Sequence, residues 1–335
     1  MPDALAAIGW NDDVAAAVKA AHRPDTTPGR VSRVDRGVVT VLTDTGRVRA
    51  TRGDALPATG DWVLVDDDHQ PTVVEVLPRR SAFVRGDPMD GAARNAQVVA
   101  ANVDTVFVTQ SIDNSPKLRR LERELVLAFE SGADPVVGLT KADLVPGDVD
   151  VAPVVGSAAG VPVIVTSAVT GQGIDELRAY TGPGRTVALV GASGVGKSTL
   201  VNRLVGDQVR ATGSVRATDR RGRHTTTARE LVLLPEGGVL VDTPGLRAVT
   251  LWLSDEGFRR AFADVDTLAR DCRFHDCAHD REPGCAVQAA VARGDLDEAR
   301  AAHYRELDAE LDRVAIRDAE RERSAREGRR PRRAR

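Results

Sequence analysis

Short apolar runs separated by glycine, aspartate and proline fill residues 29 to about 78. The runs are rich in valine, leucine and threonine and lie at 29–34, 37–42, 47–51, 61–65 and 72–77. Five short runs of this kind predict a small antiparallel barrel, for which the OB-fold is the candidate at this size. Arginines accompany the runs at 30, 33, 36, 47, 49 and 52. They favour an RNA-binding face, and a purely structural or protein-binding barrel is the alternative.

From about residue 98 the pattern alternates between buried strands and amphipathic helices. Strand-like runs lie at 103–109, 135–139, 161–165, 185–190 and 238–241. Between the first two, Ser115 and Pro116 predict the N-cap and first residue of a helix that ends near Glu130 and is closed by Gly132. The alternation predicts an α/β class, a doubly wound and mostly parallel sheet.

The remaining segments complete a four-part prediction. Residues 1–28 are expected to form an N-terminal extension, 29–82 the barrel, 83–249 the α/β domain and 250–335 a helical domain with a basic tail. The last eight residues contain five arginines.

A glycine-rich segment follows the apolar run 187–190. It reads Gly191, Ala192, Ser193, Gly194, Val195, Gly196, Lys197 and Ser198, which matches G-x-x-x-x-G-K-[ST], and Thr199 continues into a helical pattern. A loop between strand and helix cradles phosphates with its backbone N–H groups and the helix N-terminus. Lys197 is expected to reach the β- and γ-phosphates and Ser198 to bind Mg²⁺. The segment predicts a nucleoside triphosphate site, and an ordinary glycine-rich turn is the alternative.

Three further segments favour GTP over ATP. Asp242 to Gly245 matches D-x-x-G, which places a carboxylate near Mg²⁺ and an N–H group near the γ-phosphate. Thr140, Lys141, Ala142 and Asp143 resemble the guanine-specifying [NT]-K-x-D element, and Thr166, Ser167 and Ala168 resemble the loop that contacts the guanine carbonyl. Each match is weak alone. All three segments follow strands, and doubly wound sheets bind ligands at the carboxyl ends of their strands, which argues against three chance matches.

The order of these motifs is unusual, because the two base-recognition segments precede the phosphate-binding loop. This order is that of a circularly permuted GTPase. With the motifs above, the segments Gln97–Asp104 and Gly222–Thr227 and a downstream cysteine cluster, the chain resembles the ribosome small-subunit-dependent GTPase A family. The resemblance covers nearly the whole chain except residues 1–28 and the basic tail. Thr140 departs from the asparagine usual there, and we expect guanine specificity to survive the change.

All three cysteines lie between 272 and 285, which argues against a disulfide framework and for metal or thiol chemistry. Cys272, Cys277, His279 and Cys285 match the family's C-x4-C-x-H-x5-C pattern and would form a closed Cys₃His zinc site. His275 is expected to be an exposed loop residue, since a fifth ligand does not fit tetrahedral zinc.

The resemblance also implies catalytic roles and a partner. It points to Thr226 as a second Mg²⁺ ligand and to His224 as the residue that orients water, since Leu246 stands where Ras-like enzymes carry glutamine. It implies an assembly factor that binds the small (30S) ribosomal subunit and its rRNA in the GTP form and leaves after hydrolysis to GDP. The alternatives are a nucleotide-gated RNA-binding module with incidental hydrolysis and an ATPase with a zinc finger.

Length and composition limit the number of domains and the cellular location that we expect. At 335 residues and 42% hydrophobic content the chain is long enough for two or three packed domains. It has no apolar run of about 18 residues and no signal-peptide pattern, so we expect a cytoplasmic protein without a membrane partner, and a monomer. The net charge of −3 averages segments of opposite sign and says little about partners.

Overall fold

The structure, a computed structural model, describes residues 3–67, 69–85, 97–113, 115–211, 230–242 and 255–328. Five strands form a barrel: β1 (Thr27–Val34), β2 (Val38–Thr43), β3 (Gly46–Thr51), β4 (Trp62–Asp66) and β5 (Thr72–Val76). The strand order is β1-β2-β3-β5-β4, and β4 pairs with β1 to close the barrel. Valines alternate into its interior, among them Val31, Val41 and Val63. The predicted OB-type barrel is therefore confirmed.

Two short helices, α1 (Asp3–Ala7) and α2 (Asp12–Ala20), cover part of the outside of this barrel. Trp10 packs edge-on against Trp62 of β4 with ring centroids 5.3 Å apart, and Leu5 and Ile8 are buried in the same cluster. Within the predicted N-terminal extension, the apolar residues Leu5 and Ile8 pack onto the barrel and cover side chains of β4 that face outward.

The α/β sheet follows a small hairpin of β6 (Ala82–Arg85) and β7 (Gln97–Ala101). Its strands are β8 (Thr105–Ser111), β9 (Asp134–Thr140), β10 (Val163–Val165), β11 (Thr186–Gly191), β12 (Glu230–Leu233) and β13 (Val239–Asp242). The order is β10-β9-β8-β11-β13-β12, with β12 antiparallel and the others parallel. This confirms the mostly parallel sheet. At its edge, β12 pairs with β1 of the barrel through Arg33 and Glu230.

Helices cover both faces of the sheet. They are α3 (Leu118–Glu130), α4 (Ala152–Ser157), α5 (Ile174–Arg178) and α6 (Lys197–Ala211), with a short 3-10 helix at Ala142–Leu144. Val106 and Val108 of β8 contribute to the cluster that contains α3, whereas Phe107 points to the opposite face with α5 and α6. This alternation is what a strand buried on both faces requires.

The predicted N-cap of α3 is wrong. The helix begins at Leu118, after Lys117 in an extended conformation, and Ser115 has a φ of 37° in the left-handed region. An N-cap residue has extended backbone dihedrals, and the positive φ of Ser115 departs from them, so Ser115 does not cap the helix.

The C-terminal part is helical, as predicted. It contains α7 (Asp255–Ala261), α8 (Ala263–Ala269), α9 (Ala286–Arg293) and α10 (Glu298–Gly328). Phe258 and Phe262 contact Tyr304 of α10, and all three belong to the same buried cluster as α3. Within the described ranges, none of the helices has the length and apolar character to span a membrane.

Candidate functional site

The phosphate-binding loop leaves a strand that is buried between β8 and β13. Gly191 ends this strand at a φ of 143°, and a Cβ there would collide with the backbone carbonyl of Thr109 on β8. Gly194 and Gly196 also have positive φ values, of 81° and 101°. Glycine is therefore required by the fold at the start of the loop and favoured along it.

Lys197 begins α6 and folds back over its own loop. Its Nζ donates a hydrogen bond to the carbonyl oxygen of Gly191 at 2.8 Å and a second to that of Ala192. Ser193, Ser198 and Thr199 are exposed at the loop and the first turn of the helix. The loop thus combines the hydrogen-bonded ammonium group of Lys197, the N-terminus of α6 and exposed hydroxyl groups. This arrangement suits a polyphosphate with its metal ion.

The Thr140–Asp143 segment lies directly beside this loop. The Thr140 hydroxyl is within hydrogen-bonding distance of the carbonyl oxygens of Val195 in the loop and of Gln110 on β8, the latter at 3.2 Å. The threonine therefore links the base-recognition segment to the phosphate-binding loop.

Asp143 is exposed, and its carboxylate accepts a hydrogen bond from the hydroxyl of buried Ser167 at 2.5 Å. Ser167 in turn accepts backbone N–H groups from Val169 at 3.2 Å and Thr170 at 3.1 Å. The backbone N–H of Ala142 donates to the Thr166 carbonyl at 3.1 Å. These bonds bring the two predicted base-recognition segments together and orient a carboxylate that remains open to a ligand.

The sequence reasoning missed two side-chain partners of this site. Lys141 donates to Asp113, just after β8, with an Nζ–Oδ2 distance of 2.9 Å. Glu124 of α3 accepts from Gln110 at 2.7 Å and from Arg120 at 2.9 Å. Neither carboxylate belongs to a sequence motif. The only signal in the sequence is that Asp113 and α3 directly follow β8, the strand next to the one that precedes the glycine-rich loop.

Glu124 is electrostatically unusual. Its side chain is 12% exposed, and burial raises the pKa of its carboxyl group, against the smaller lowering effects of Arg120, Gln110 and the more distant Lys197.

These segments meet where the strand order reverses. The chain runs from β8 outward through β9 to β10, then returns to the other side of β8 as β11. The crevice beyond the carboxyl ends of β8 and β11 is the usual ligand site of a doubly wound sheet.

The remaining predicted residues are described in part or not at all. Asp242 is the last residue of β13, which pairs with β11, and only its backbone is described. His224, Thr226 and Gly245 lie outside the described residues.

The second site is a cluster of Cys272, Cys277, His279 and Cys285, whose candidate ligand atoms all lie within 4.8 Å of one another. The Nδ1 atom of His279 is 3.5 Å from the Sγ of Cys272 and 3.6 Å from that of Cys285, and these two sulfurs are 3.9 Å apart. Tetrahedral zinc with ordinary bond lengths requires about 3.6 Å for sulfur to nitrogen and about 3.8 Å for sulfur to sulfur. The donor set and its spacing therefore fit a tetrahedral ion.

Backbone and side-chain groups support this cluster. N–H groups of Ala286 and Gln288, at the start of α9, donate to the sulfurs of Cys272 at 3.3 Å and Cys285 at 3.4 Å. Burial opposes ionisation of Cys272, but the N–H groups and neighbouring thiols outweigh it, and the pKa of this thiol is lowered. His275 stays outside the cluster, with its side chain 98% exposed.

The strand order and loop geometry define a circularly permuted GTPase with an OB-type barrel, and its C-terminal helices carry a Cys₃His cluster that could hold a metal ion. A profile of the RsgA GTPase family matches residues 76–252. The small ribosomal subunit biogenesis GTPase RsgA of Streptomyces coelicolor is 46% identical over 323 residues, which cover 93% of this chain and 87% of that protein. The chain belongs to the RsgA GTPase family, and it is a GTPase.

Solved structures agree with this assignment. YjeQ from Thermotoga maritima is 28% identical, with a TM-score of 0.65 and coverage of 85% of this chain and 98% of that one. YloQ, described as a circularly permuted GTPase, shares the fold at 23% identity and a TM-score of 0.61, covering 87% of this chain and 96% of its own.

Proposed function

We propose that this GTPase acts in the assembly of the small ribosomal subunit, binding the subunit with GTP and leaving after hydrolysis to GDP. The observation that carries the proposal is the combination of a permuted GTPase site, a barrel and a metal module in a chain that matches a protein named for small-subunit biogenesis over 93% of its length. In such a switch, the GTPase site binds the nucleotide, and the barrel and the C-terminal module provide two surfaces that can contact the subunit.

In this proposal the phosphate-binding loop, from Gly191 to Thr199, holds the β- and γ-phosphates through its N–H groups and Lys197. Ser198 and Thr226 bind Mg²⁺, which neutralises charge that develops on the transferred phosphoryl group. Asp242 and Gly245 sense the γ-phosphate. The contact of Lys197 with its own loop and the exposure of Ser198 support these roles.

Guanine is read by Asp143, with Lys141, Ala142 and the Thr166–Ala168 segment beside it. The carboxylate accepts from the two N–H groups of guanine that adenine does not offer. Its exposure and its hydrogen bond from Ser167 support this role, because the bond orients the group without covering it. The attacking water is oriented by His224, since Leu246 cannot form a hydrogen bond to it.

The metal of the C-terminal module is one structural zinc ion held by Cys272, Cys277, His279 and Cys285. Four protein ligands, whose candidate donor atoms lie within 4.8 Å of one another, would leave no open position, as is usual for structural rather than catalytic zinc. A bound ion favours the thiolate forms and adds its binding free energy to the folding of the module.

The rRNA-binding surface of the barrel is its arginine-rich outer face. Arg36, Arg47 and Arg49 are exposed, and the last two alternate on β3 and so share one side of the strand. Arg30 is not part of this face. It is buried, donates to the carbonyl oxygens of Gly60 at 3.1 Å and of Ile8, and burial lowers its pKa to about 10. The protein is proposed to work as a cytoplasmic monomer.

The test is GTP turnover titrated with purified small subunits. Strong stimulation is expected, and His224→Ala should lower the stimulated kcat about 100-fold while GTP affinity stays within a few-fold. The matched control His275→Ala, in an exposed loop residue, should behave as the unaltered protein. Turnover that does not respond to subunits supports the nucleotide-gated RNA-binding module instead. Equal competition by ATP supports the ATPase.

A further inference from the structure

Lys141 has an unusual backbone conformation for a residue with a side chain. Its φ is 66°, in the left-handed region that glycine adopts freely and other residues adopt at a cost. It directly follows β9 and begins the short 3-10 helix at Ala142–Leu144. Backbone strain of this kind is typical of functional sites. The conformation therefore indicates a role for the Lys141 side chain that glycine could not fill.

The Lys141 side chain lies against the phosphate-binding loop. A Cβ atom on Gly196 would be 3.9 Å from Cγ of Lys141 and 3.4 Å from the hydroxyl oxygen of Thr140. At the far end of the side chain, the ammonium group donates to Oδ2 of Asp113 at 2.9 Å, and the side chain is 29% exposed. It therefore runs along the crevice from the loop toward the end of β8. A nucleotide held by the loop and by Asp143 would lie against it.

Asp113 is itself held at the edge of the sheet. It lies two residues beyond Ser111, the last residue of β8, which pairs with Thr140 at the end of β9. The Ser111 hydroxyl donates to Oδ1 of Asp113 and the Lys141 ammonium to Oδ2, so each carboxylate oxygen has its own donor. The side chain of Asp113 is 19% exposed, and partial burial strengthens its attraction for the ammonium group relative to an ion pair in solvent. Asp113 can therefore fix the direction of the lysine side chain.

We propose that Asp113 is a positioning residue of the GTP site. It holds the ammonium group of Lys141 at the end of β8 and so keeps the lysine side chain in place for the nucleoside part of GTP or GDP. This role rests on the proposed function of Thr140–Asp143 in nucleotide binding, and it adds a residue that belongs to no motif. Neither Asp113 nor Lys141 is among the residues proposed to sense the γ-phosphate or orient water. Loss of the Asp113 charge should therefore weaken GTP and GDP binding equally.

The experiment measures GDP binding by isothermal titration calorimetry and steady-state GTP turnover, both with Mg²⁺ and the full chain. Asp113→Asn keeps the size of the side chain and an oxygen for the Ser111 hydroxyl, but removes the charge that attracts Lys141. We expect the Kd for GDP and the KM for GTP to rise together by about tenfold, the scale of one hydrogen bond between charged groups, with kcat within about twofold. Ser111→Ala should raise both constants by a smaller factor, because it loosens Asp113 without removing its charge.

A double variant separates positioning from a purely structural role. If Asp113 acts through the lysine, Asp113→Asn should change GDP affinity by less than about twofold once Lys141→Met has removed the ammonium group. A role of Asp113 in folding the segment after β8 would keep its full effect in that background. The matched control is Asp175→Asn, which breaks a 3.0 Å ion pair with Arg178 at a carboxylate that is 92% exposed. It should leave Kd, KM and kcat unchanged.

Two results would overturn the proposal and leave the proposed nucleotide site intact. One is unaltered GDP affinity in Asp113→Asn when Lys141→Met does weaken binding, and the other is effects of the two substitutions that add in the double variant. If Lys141→Met and Asp143→Asn both leave GDP affinity unchanged, the proposed base-recognition segment is wrong and the role of Asp113 is overturned with it. Neither measurement involves small subunits, so the ribosomal role is tested separately.

Discussion

Replacement of Arg300 by methionine should destabilise the protein more than any loss of a surface charge. The Arg300 side chain is 3% exposed and joins the C-terminal module to helix α3. It donates to Glu122 at 2.9 Å, twice to Asp264 at 2.6 Å, and to the carbonyl oxygens of Ala261 at 3.0 Å and Ser157 at 3.3 Å. The substitution removes all five bonds at once.

The magnitude follows from what the substitution leaves behind. Asp264 is 39% exposed and can be hydrated, but Glu122 is 2% exposed and keeps only its bond to His303. A buried charge that loses its partner costs about 3–5 kcal/mol, so we expect Arg300→Met to lower the free energy of unfolding by that amount. Glu122→Gln should cost less, about 1.5–3 kcal/mol, because Arg300 retains Asp264 and two carbonyl groups.

A double variant tests this reasoning. With Glu122→Leu added, no buried carboxylate remains, so the pair Glu122→Leu and Arg300→Met should be more stable than the sum of the two single effects predicts, by at least about 1.5 kcal/mol. The measurement is urea unfolding followed by circular dichroism at saturating zinc. The control is Arg119→Gln, whose partner Glu306 is 49% exposed, with an expected cost below about 1 kcal/mol. Additive effects, or a loss below about 1 kcal/mol for Arg300→Met, would refute the argument.

Three further outcomes are expected. Asp143→Asn should shift nucleotide preference from GTP to XTP in a competition assay, since xanthine replaces a guanine N–H by an acceptor; an unchanged preference would mean that this loop does not read the base. Cys277→Ser should lose zinc, as measured by metal analysis, and with it on the order of 10 kcal/mol of folding free energy of the module, whereas His275→Ala should retain the metal. Glu124→Gln should become more stable than the unaltered protein as the pH rises through the raised pKa of the glutamate. The reason is that ionisation of a group whose pKa is raised by folding lowers the free energy of unfolding, and glutamine does not ionise. A urea midpoint that shows no such gain across this range would argue against burial as the cause of the shift.

The sequence predicted those parts of the site whose chemistry lies in short windows. The glycines at 191, 194 and 196 can be read from the sequence because glycine adopts the positive φ values of this loop more readily than any other residue. The cysteine cluster could be predicted equally well, since its four candidate ligands fall within fourteen residues. Motifs of this kind can be recognised from the spacing of their residues along the chain.

Contacts between distant positions could not be predicted in this way. Arg300 and Glu122 are 178 positions apart, and nothing in either segment marks them as a buried pair. Arg30 was expected on an RNA-binding face, because an arginine in an exposed strand is usually solvated. Its guanidinium group is instead buried and donates to the carbonyl oxygens of Ile8, in the turn after α1, and Gly60, before β4.

The two faces of the sheet determine how far a loss of zinc should spread. Cys272, Cys277 and Cys285 pack into the cluster that contains α3 and one face of β8. Leu200 of α6, the helix that begins at the phosphate-binding loop, belongs to the separate cluster on the other face. Since α3 also buries Glu122 against Arg300, unfolding of the segment around the cysteines removes packing from α3, whereas the described buried residues of α6 belong to the other cluster. Amide exchange after zinc removal should therefore accelerate in α3 and stay slow in α6. In the packed core, residues of α7, α8, α9 and α10 form one cluster with α3.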